Sequence, residues 1–134
     1  PEQLIPQINI DTEIDFANIS AKFIRIVKQF APFGPRNMKP VFCTKQLRDY
    51  RNQSKLIGKD NTHAKLILTQ DDKIFFDGVA FCSGYMRDYN MSMIINHLRK
   101  GGYIDICYTI EENCFNGTIT NQLMIRDIKI SLSR

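Results

Sequence analysis

The sequence predicts a mainly β fold: a small five-stranded Greek-key barrel, with one helix between strands three and four and another ahead of the barrel. Three observations predict it. From residue 41 onward, short runs rich in Val, Ile, Phe, Tyr and Thr recur between polar turns, the pattern of strands. A single helical stretch, residues 84–100, falls between the third and fourth runs. Gly and Pro gather at residues 31–40 and 101–102, at the borders of the periodic segments rather than inside them. The chain has 134 residues, enough for one domain plus a connector. Its hydrophobic (43%) and charged (24%) fractions are those of a globular protein and exclude wholesale disorder.

The elements follow in order. Residues 1–19 hold Pro1, Pro6 and an alternating Gln7–Asp11 stretch. They are expected to form an extended connector from an upstream domain, able to add a strand to a neighbour. Ser20 reads as an N-cap; Phe23, Ile26, Val27 and Phe30 then recur at helical spacing, with Lys22, Arg25 and Lys28 opposite. Three prolines and Gly34 make residues 31–40 a turn region, so 20–40 is helix plus turn and 41–134 the barrel. The first strand runs from Val41 to about Arg51, with a continuation after a bend through Lys55–Gly58. His63–Thr69 and Ile74–Phe81, separated by Asp71-Asp72, predict a hairpin. In the helix at 84–100, Met86, Tyr89, Met93, Ile94 and Leu98 form the apolar stripe, and Gly101-Gly102 ends it. Ile104, Ile106, Tyr108 and Ile110 alternate with polar neighbours in a half-buried strand. Glu112–Thr120, with Asn116-Gly117, is expected as a loop, and Gln122 to about Ile130 as the last strand. Five strands with a helix between the third and fourth is the OB-fold layout.

Cys43, Cys82, Cys107 and Cys114 include no C-x-x-C pair. They are expected to be free, mostly buried thiols in a reducing compartment, without a zinc site. No apolar run approaches the roughly 18 residues of a membrane helix, so no membrane association is expected. The first residues lack Met, a basic start and an apolar stretch. The sequence is therefore expected to be part of a longer, cytoplasmic protein.

The net charge of +4 is unevenly spread. Residues 34–69 carry Arg36, Lys39, Lys45, Arg48, Arg51, Lys55, Lys59 and Lys65 against only Asp49 and Asp60; the rest of the chain is slightly acidic. A concentrated basic segment is the footprint of a phosphate-backbone binder. Lysines that guard a strand edge give the same pattern.

One segment carries a specific likeness. Phe30-Ala31-Pro32-Phe33-Gly34-Pro35-Arg36-Asn37-Met38-Lys39-Pro40-Val41-Phe42 resembles the L-x-P-F-G-x-G-N-x-x-P-x-F signature that opens the C-terminal OB domain of the RecJ family, bacterial single-strand-specific 5′-to-3′ DNA exonucleases. His63-Ala64-Lys65-Leu66, Asp77-Gly78-Val79-Ala80-Phe81, Gln122-Leu123 and Asp127-Ile128 follow in the family's order. Two positions depart: Arg36 stands where the family usually has glycine, and Met38 where it often has proline. A glycine at positive φ would make Arg36 a strained replacement.

The resemblance implies a non-catalytic, single-stranded-DNA-binding module of an enzyme of recombination and repair. It also implies partnership with upstream nuclease domains and a contact between the parent and a single-strand-binding protein. The parent's metal, Mg or Mn, would be held by aspartate and histidine clusters. This chain has only His63 and His97, neither beside an aspartate, so no cofactor is expected within it.

The residues themselves leave two roles open. Arg36, Lys39, Lys45, Arg48, Arg51, Lys55, Lys59 and Lys65 are candidates to follow phosphates, or simply solvated charges. Tyr50, Phe76 and Phe115 are stacking candidates; Tyr50, between Asp49 and Arg51, is expected to be exposed, while Phe42, Phe75 and Phe81 are expected in the core. His63 is a candidate phosphate or base contact, or a surface histidine. Asp71-Asp72 and Glu111-Glu112 read as solvated turn carboxylates. The alternative function is a structural or docking module that packs on the nuclease core.

Overall fold

The structure, a computed structural model, describes residues 12–29, 39–82 and 86–131, the Phe115 side chain excepted. Arg36, the rest of the Pro/Gly-rich stretch 30–38 and the first eleven residues of the expected connector lie outside these. The fold is mainly β and OB-like, with two helices. In chain order it contains β1 (Thr12–Glu13), a short 3₁₀ turn (Phe16–Asn18), α1 (Ala21–Lys28), β2 (Phe42–Asp49), β3 (Lys55–Ile57), β4 (His63–Thr69), β5 (Phe75–Ala80), α2 (Met91–Arg99), β6 (Tyr103–Phe115) and β7 (Thr118–Ser131).

Neighbours in the sheet run β1-β2-β6-β7-β5-β4-β3, and β2 also pairs with β4 through Arg48↔Thr69 and Asp49↔Leu68. That extra pairing joins β2, β6, β7, β5 and β4 into a closed circuit. β1–β2 and β5–β7 are parallel; the other pairings are antiparallel. The interior is filled by Phe42, Leu47, Ala64, Leu66, Leu68, Ala80, Ile104, Ile106, Tyr108, Leu123, Ile125 and Ile128. The polar pair Thr44 and Tyr108 in this interior is satisfied, Thr44 Oγ1 and Tyr108 Oη sharing a 2.7 Å hydrogen bond.

Both helices are capped, the first by Ser20 as its sequence predicts. Ser20 accepts from the Phe23 amide at 3.1 Å, and Asn90 from the Met93 amide at 3.1 Å. The Asn90 cap starts α2 seven residues later than the periodicity suggests. Its buried face is Met91, Ile94, Ile95 and Leu98, while Met93 points outward. In α1, likewise, Ile24 is buried and Ile26 is exposed.

Residues 12–19, expected as connector, instead add to this chain's own sheet. Thr12 and Glu13 pair with β2, and Phe16 and Ile19 bury into the core. Phe16 meets Phe76 and Tyr108 edge-on at 5.0 and 6.4 Å. The first predicted strand divides into β2 and β3, because Arg51 and Asn52 both turn left-handed (φ 56° and 59°).

The expected loop at 112–120 is not a loop. From Tyr108↔Ile125 onward, past a register shift at Cys107/Tyr108, β6 and β7 pair without interruption to Phe115↔Thr118. Asn116 (φ 51°) and Gly117 (φ 79°) close them in a two-residue turn, the signature of a tight hairpin with both central residues left-handed. Glu111 and Glu112 are ion-paired rather than merely solvated, with Lys39 and Lys28 respectively.

The thiols are less buried than expected: Cys107 is buried, Cys43 and Cys82 are intermediate, and Cys114 is exposed. All four are free.

Burial pushes the Cys107 thiol from 9.0 up to about 12. Burial, then the hydrogen bond to Asp127, pushes the Tyr89 hydroxyl from 10.0 up to about 12. Both groups hold their protons longer in the folded chain than in the unfolded one. Their contribution is complete below about pH 9 and is lost as the pH rises toward about 12. Denaturant midpoints are expected to fall across that window, and Tyr89→Phe to flatten its upper part. A flat profile would contradict this.

Candidate nucleic-acid interface

Strand parity assigns the two faces of β3, β4 and β5. Leu56, Ala64, Leu66, Leu68, Phe76 and Ala80 pack in or against the core. Lys55 stands opposite Lys65, Lys65 opposite Val79, Ile57 opposite His63 and Thr69 opposite Phe75. These residues, with Asp77 and Phe81, share the outward side. Ile67 and Val79 form its apolar floor, each nearly covered. Phe75, which opens β5, and Phe81, which directly follows it, remain 45% and 42% exposed, about 20 Å apart along an extended chain.

This arrangement corrects several expectations. Phe75 and Phe81 are surface residues, not core. At the middle of β5 the inward position is a glycine because space there is taken: a Cβ on Gly78 would fall 2.8 Å from Ile125 Cδ1. Phe76 faces the other way, is partly buried and packs on Phe16. Tyr50 is buried (8% exposed) despite its charged neighbours. Near-parallel stacking on Phe75 covers it (4.3 Å, 17°), and the Arg51 guanidinium carbon lies 4.9 Å from its ring centroid. The Phe115 side chain lies outside the description. The signal that identifies Phe75 and Phe81 is parity with Asp77, the charged residue within the β5 run.

The cations divide in the same way. Lys55 and Lys59 are exposed with no ion-pair partner among the described residues. Lys65 stands on the same face, 4.0 Å from Asp77. Arg51 joins them through the Tyr50 stack. Arg48 is committed elsewhere: Asp72 takes its Nε and Nη2 (3.3 and 2.5 Å), and its Nη1 donates to the Tyr103 hydroxyl at 3.1 Å. The hydrogen bond to Asp72 is the main reason its guanidinium titrates still higher than usual. Lys45 pairs with Glu13 at 3.6 Å beside β1, and Lys39 with Glu111 at the base of the long hairpin.

His63 is a positioning group. Its Nδ1 accepts the Cys82 amide at 2.8 Å, and its ring edge meets Phe81 at 5.2 Å. Gly58 (φ +93°) lies against the ring; a Cβ there would fall 2.8 Å from His63 Cδ2. The histidine thus fixes the β3–β4 turn and the Phe81 end of the face. Asp71, as expected of a turn carboxylate, accepts from the Lys73 and Ile74 amides (2.9 and 3.0 Å). The Ile74 bond is the main cause that lowers its pKa. Among the described residues no group of three or more His, Cys, Asp or Glu side chains is placed to hold a metal ion. Among those residues, too, no helix is long and apolar enough to cross a membrane.

The family model for the RecJ OB domain matches residues 10–127. The chain belongs to that family. Crystal structures of RecJ from Thermus thermophilus, in complex with Mn2+ and with Mg2+, are similar to it with a TM-score of 0.53 and 14% identity. Each match covers 82% of this chain and 14% of the Thermus protein, so this RecJ OB domain spans a small part of that longer protein's length. No curated protein matches it. Within the RecJ OB domain, the β3–β4–β5 surface brings Lys55 and Lys59, which have no ion-pair partner among the described residues, together with the exposed rings of Phe75 and Phe81.

Proposed function

We propose that this RecJ OB domain is a non-catalytic module that holds single-stranded DNA and presents it to the nuclease domains of its parent, a metal-dependent 5′-to-3′ exonuclease of recombination and repair. The five strands of the closed circuit are read as the Greek-key OB barrel, with α2 between its third and fourth strands. One observation carries the reading: Lys55 and Lys65 lie in register on the same face as the exposed rings of Phe75 and Phe81. The lysines follow phosphates while the rings receive bases, a combination that binds single strands with little sequence preference. Paired bases cannot present their faces to such rings, so duplex DNA is disfavoured.

The division of the chain follows the same reading, with residues 1–11 leading from the upstream nuclease domains. A docking role is the second reading, and Ile26, exposed at 44% on α1, is the observation that favours it.

Each phosphate neutralised on a single strand contributes roughly −0.7 to the slope of log affinity against log salt. The double variant Lys55→Ala/Lys59→Ala is therefore expected to shallow that slope by about 1.4 and to weaken binding of single-stranded DNA. Unchanged slope and affinity would remove this face from the account and leave docking as the better reading.

A further inference from the structure

Cys43 on β2 and Cys107 on β6 are direct cross-strand partners. The Cys43 carbonyl accepts the Ile14 amide at 2.9 Å, on the β1 side. A strand residue directs its N–H and C=O to the same side, so toward β6 the Cys43–Cys107 pair is a non-hydrogen-bonded one. Such pairs hold their Cα atoms about 4.5 Å apart, with the side chains close together. That separation lies within the span a disulfide accepts, about 4.4–6.8 Å. The two thiols are therefore neighbours on the same face of the two strands. Both line an open cleft of about 210 Å³, with Lys45, Asp105, Asp127 and Lys129. An oxidant therefore has a path to them. Cys82 has a different setting, its thiol donating to the Arg87 and Tyr89 carbonyls. Cys114 faces Ile119 across the exposed hairpin.

We propose that Cys43 and Cys107 are a redox modification site, closing under peroxide to a reversible disulfide that staples β2 to β6. Cys43 reacts first, because it is the less buried of the two. Its thiolate attacks one peroxide oxygen, the O–O bond breaks, and the departing hydroxide takes up a proton as water. The Cys107 sulfur then attacks the Cys43 sulfenic acid. The S–S bond forms, the S–O bond breaks, and a second water leaves with the Cys107 proton. Two thiols lose two electrons and one peroxide becomes two waters. Burial raises both thiols above their ordinary value, so closure is slow at neutral pH and quickens about tenfold per pH unit. The bridge closes a loop of about 60 residues, which constrains the unfolded chain strongly.

The test is peroxide treatment of the whole chain, followed by non-reducing digestion and mass spectrometry. Trypsin combined with a glutamyl endopeptidase separates Cys107 from Cys114, because Glu111 and Glu112 lie between them. A Cys43–Cys107 linked peptide is expected, two hydrogens lighter than the separate thiols. The thermal midpoint should rise by about 10 °C and fall back with reductant. Cys82→Ser/Cys114→Ser should retain both effects and Cys43→Ser abolish both; if Cys107→Ser does not fold, the Cys43 variant carries the test. Oxidation of Cys43 and Cys107 to unlinked sulfinic acids, or a dominant link through Cys82 or Cys114, would overturn the proposal.

Discussion

Replacing Phe75 and Phe81 together by alanine is expected to weaken binding of a single strand about 100-fold, with the fold retained. Each base that stacks on an aromatic ring gains about 1–3 kcal/mol, so two lost platforms amount to a factor of this size. Both rings stand on the outer side of β5 and are more than two-fifths exposed, and neither fills the interior. The cost to stability is limited to contacts such as the Tyr50–Phe75 stack, about 1 kcal/mol. Fluorescence anisotropy with the variant, beside its circular dichroism spectrum, separates the two effects. The Phe76→Ala variant is the contrast. It removes a ring packed on Phe16, so stability should drop while the outer face keeps its platforms. Retained affinity in Phe75→Ala/Phe81→Ala would mean that bases do not stack here.

Leu66→Ala is expected to be the most damaging single change to the fold, at about 3–4 kcal/mol. Leu66 is fully buried at the centre of β4, directly opposite Gly78 on β5. A glycine opposite cannot swing a side chain into the vacated space. The nearest filler, Ile125, already occupies the place of the missing Gly78 Cβ. The surrounding strands are tied into a closed circuit of ladders, which resists collapse around a cavity, so the loss falls in the upper part of the range for such truncations. Since whole domains are stable by about 5–15 kcal/mol, the variant should show a thermal midpoint more than about 10 °C lower. A drop of only a few degrees would indicate a core looser than this packing implies.

The strands and helices are legible where a local signal decides them. His63–Thr69 reads from its own composition, and Ser20 is a cap of the kind a helix start favours. The parity of β5 is not legible in the same way. Phe75-Phe76 offers two aromatics in succession; the charge of Asp77, two residues on, is the one sequence signal that places Phe75 outward, and the packing of Ile125 against Gly78 fixes it. Tyr50 shows the converse. Charged neighbours suggest exposure, but a left-handed turn at Arg51 and Asn52 folds the chain so that Phe75 and Arg51 cover the ring.

The basic segment is legible as charge and not as geometry. Glu13, Asp72 and Glu111 are remote in sequence, yet they engage Lys45, Arg48 and Lys39. What remains on the candidate face is a smaller set: Arg51, Lys55 and Lys59, without an ion-pair partner among the described residues, and Lys65, held only at 4.0 Å by Asp77. The hairpin from 111 to 122 is hidden by its polar composition, which suggests a loop, whereas Asn116-Gly117 closes a continuous ladder. The Cys43–Cys107 pairing is set by β2–β6 register, and spacing along the chain gives no hint of it.

The measurement that tests the central claim most directly is anisotropy of this domain with a labelled single strand of about 15 nucleotides, the length one OB module can cover, beside the matching duplex at two salt concentrations. With about four phosphates neutralised by the face, the account predicts preference for the single strand and a log–log salt slope near −3. Equal binding of the duplex, or no binding of the single strand at protein concentrations of order 100 µM, where even non-specific nucleic-acid affinity registers, would contradict it.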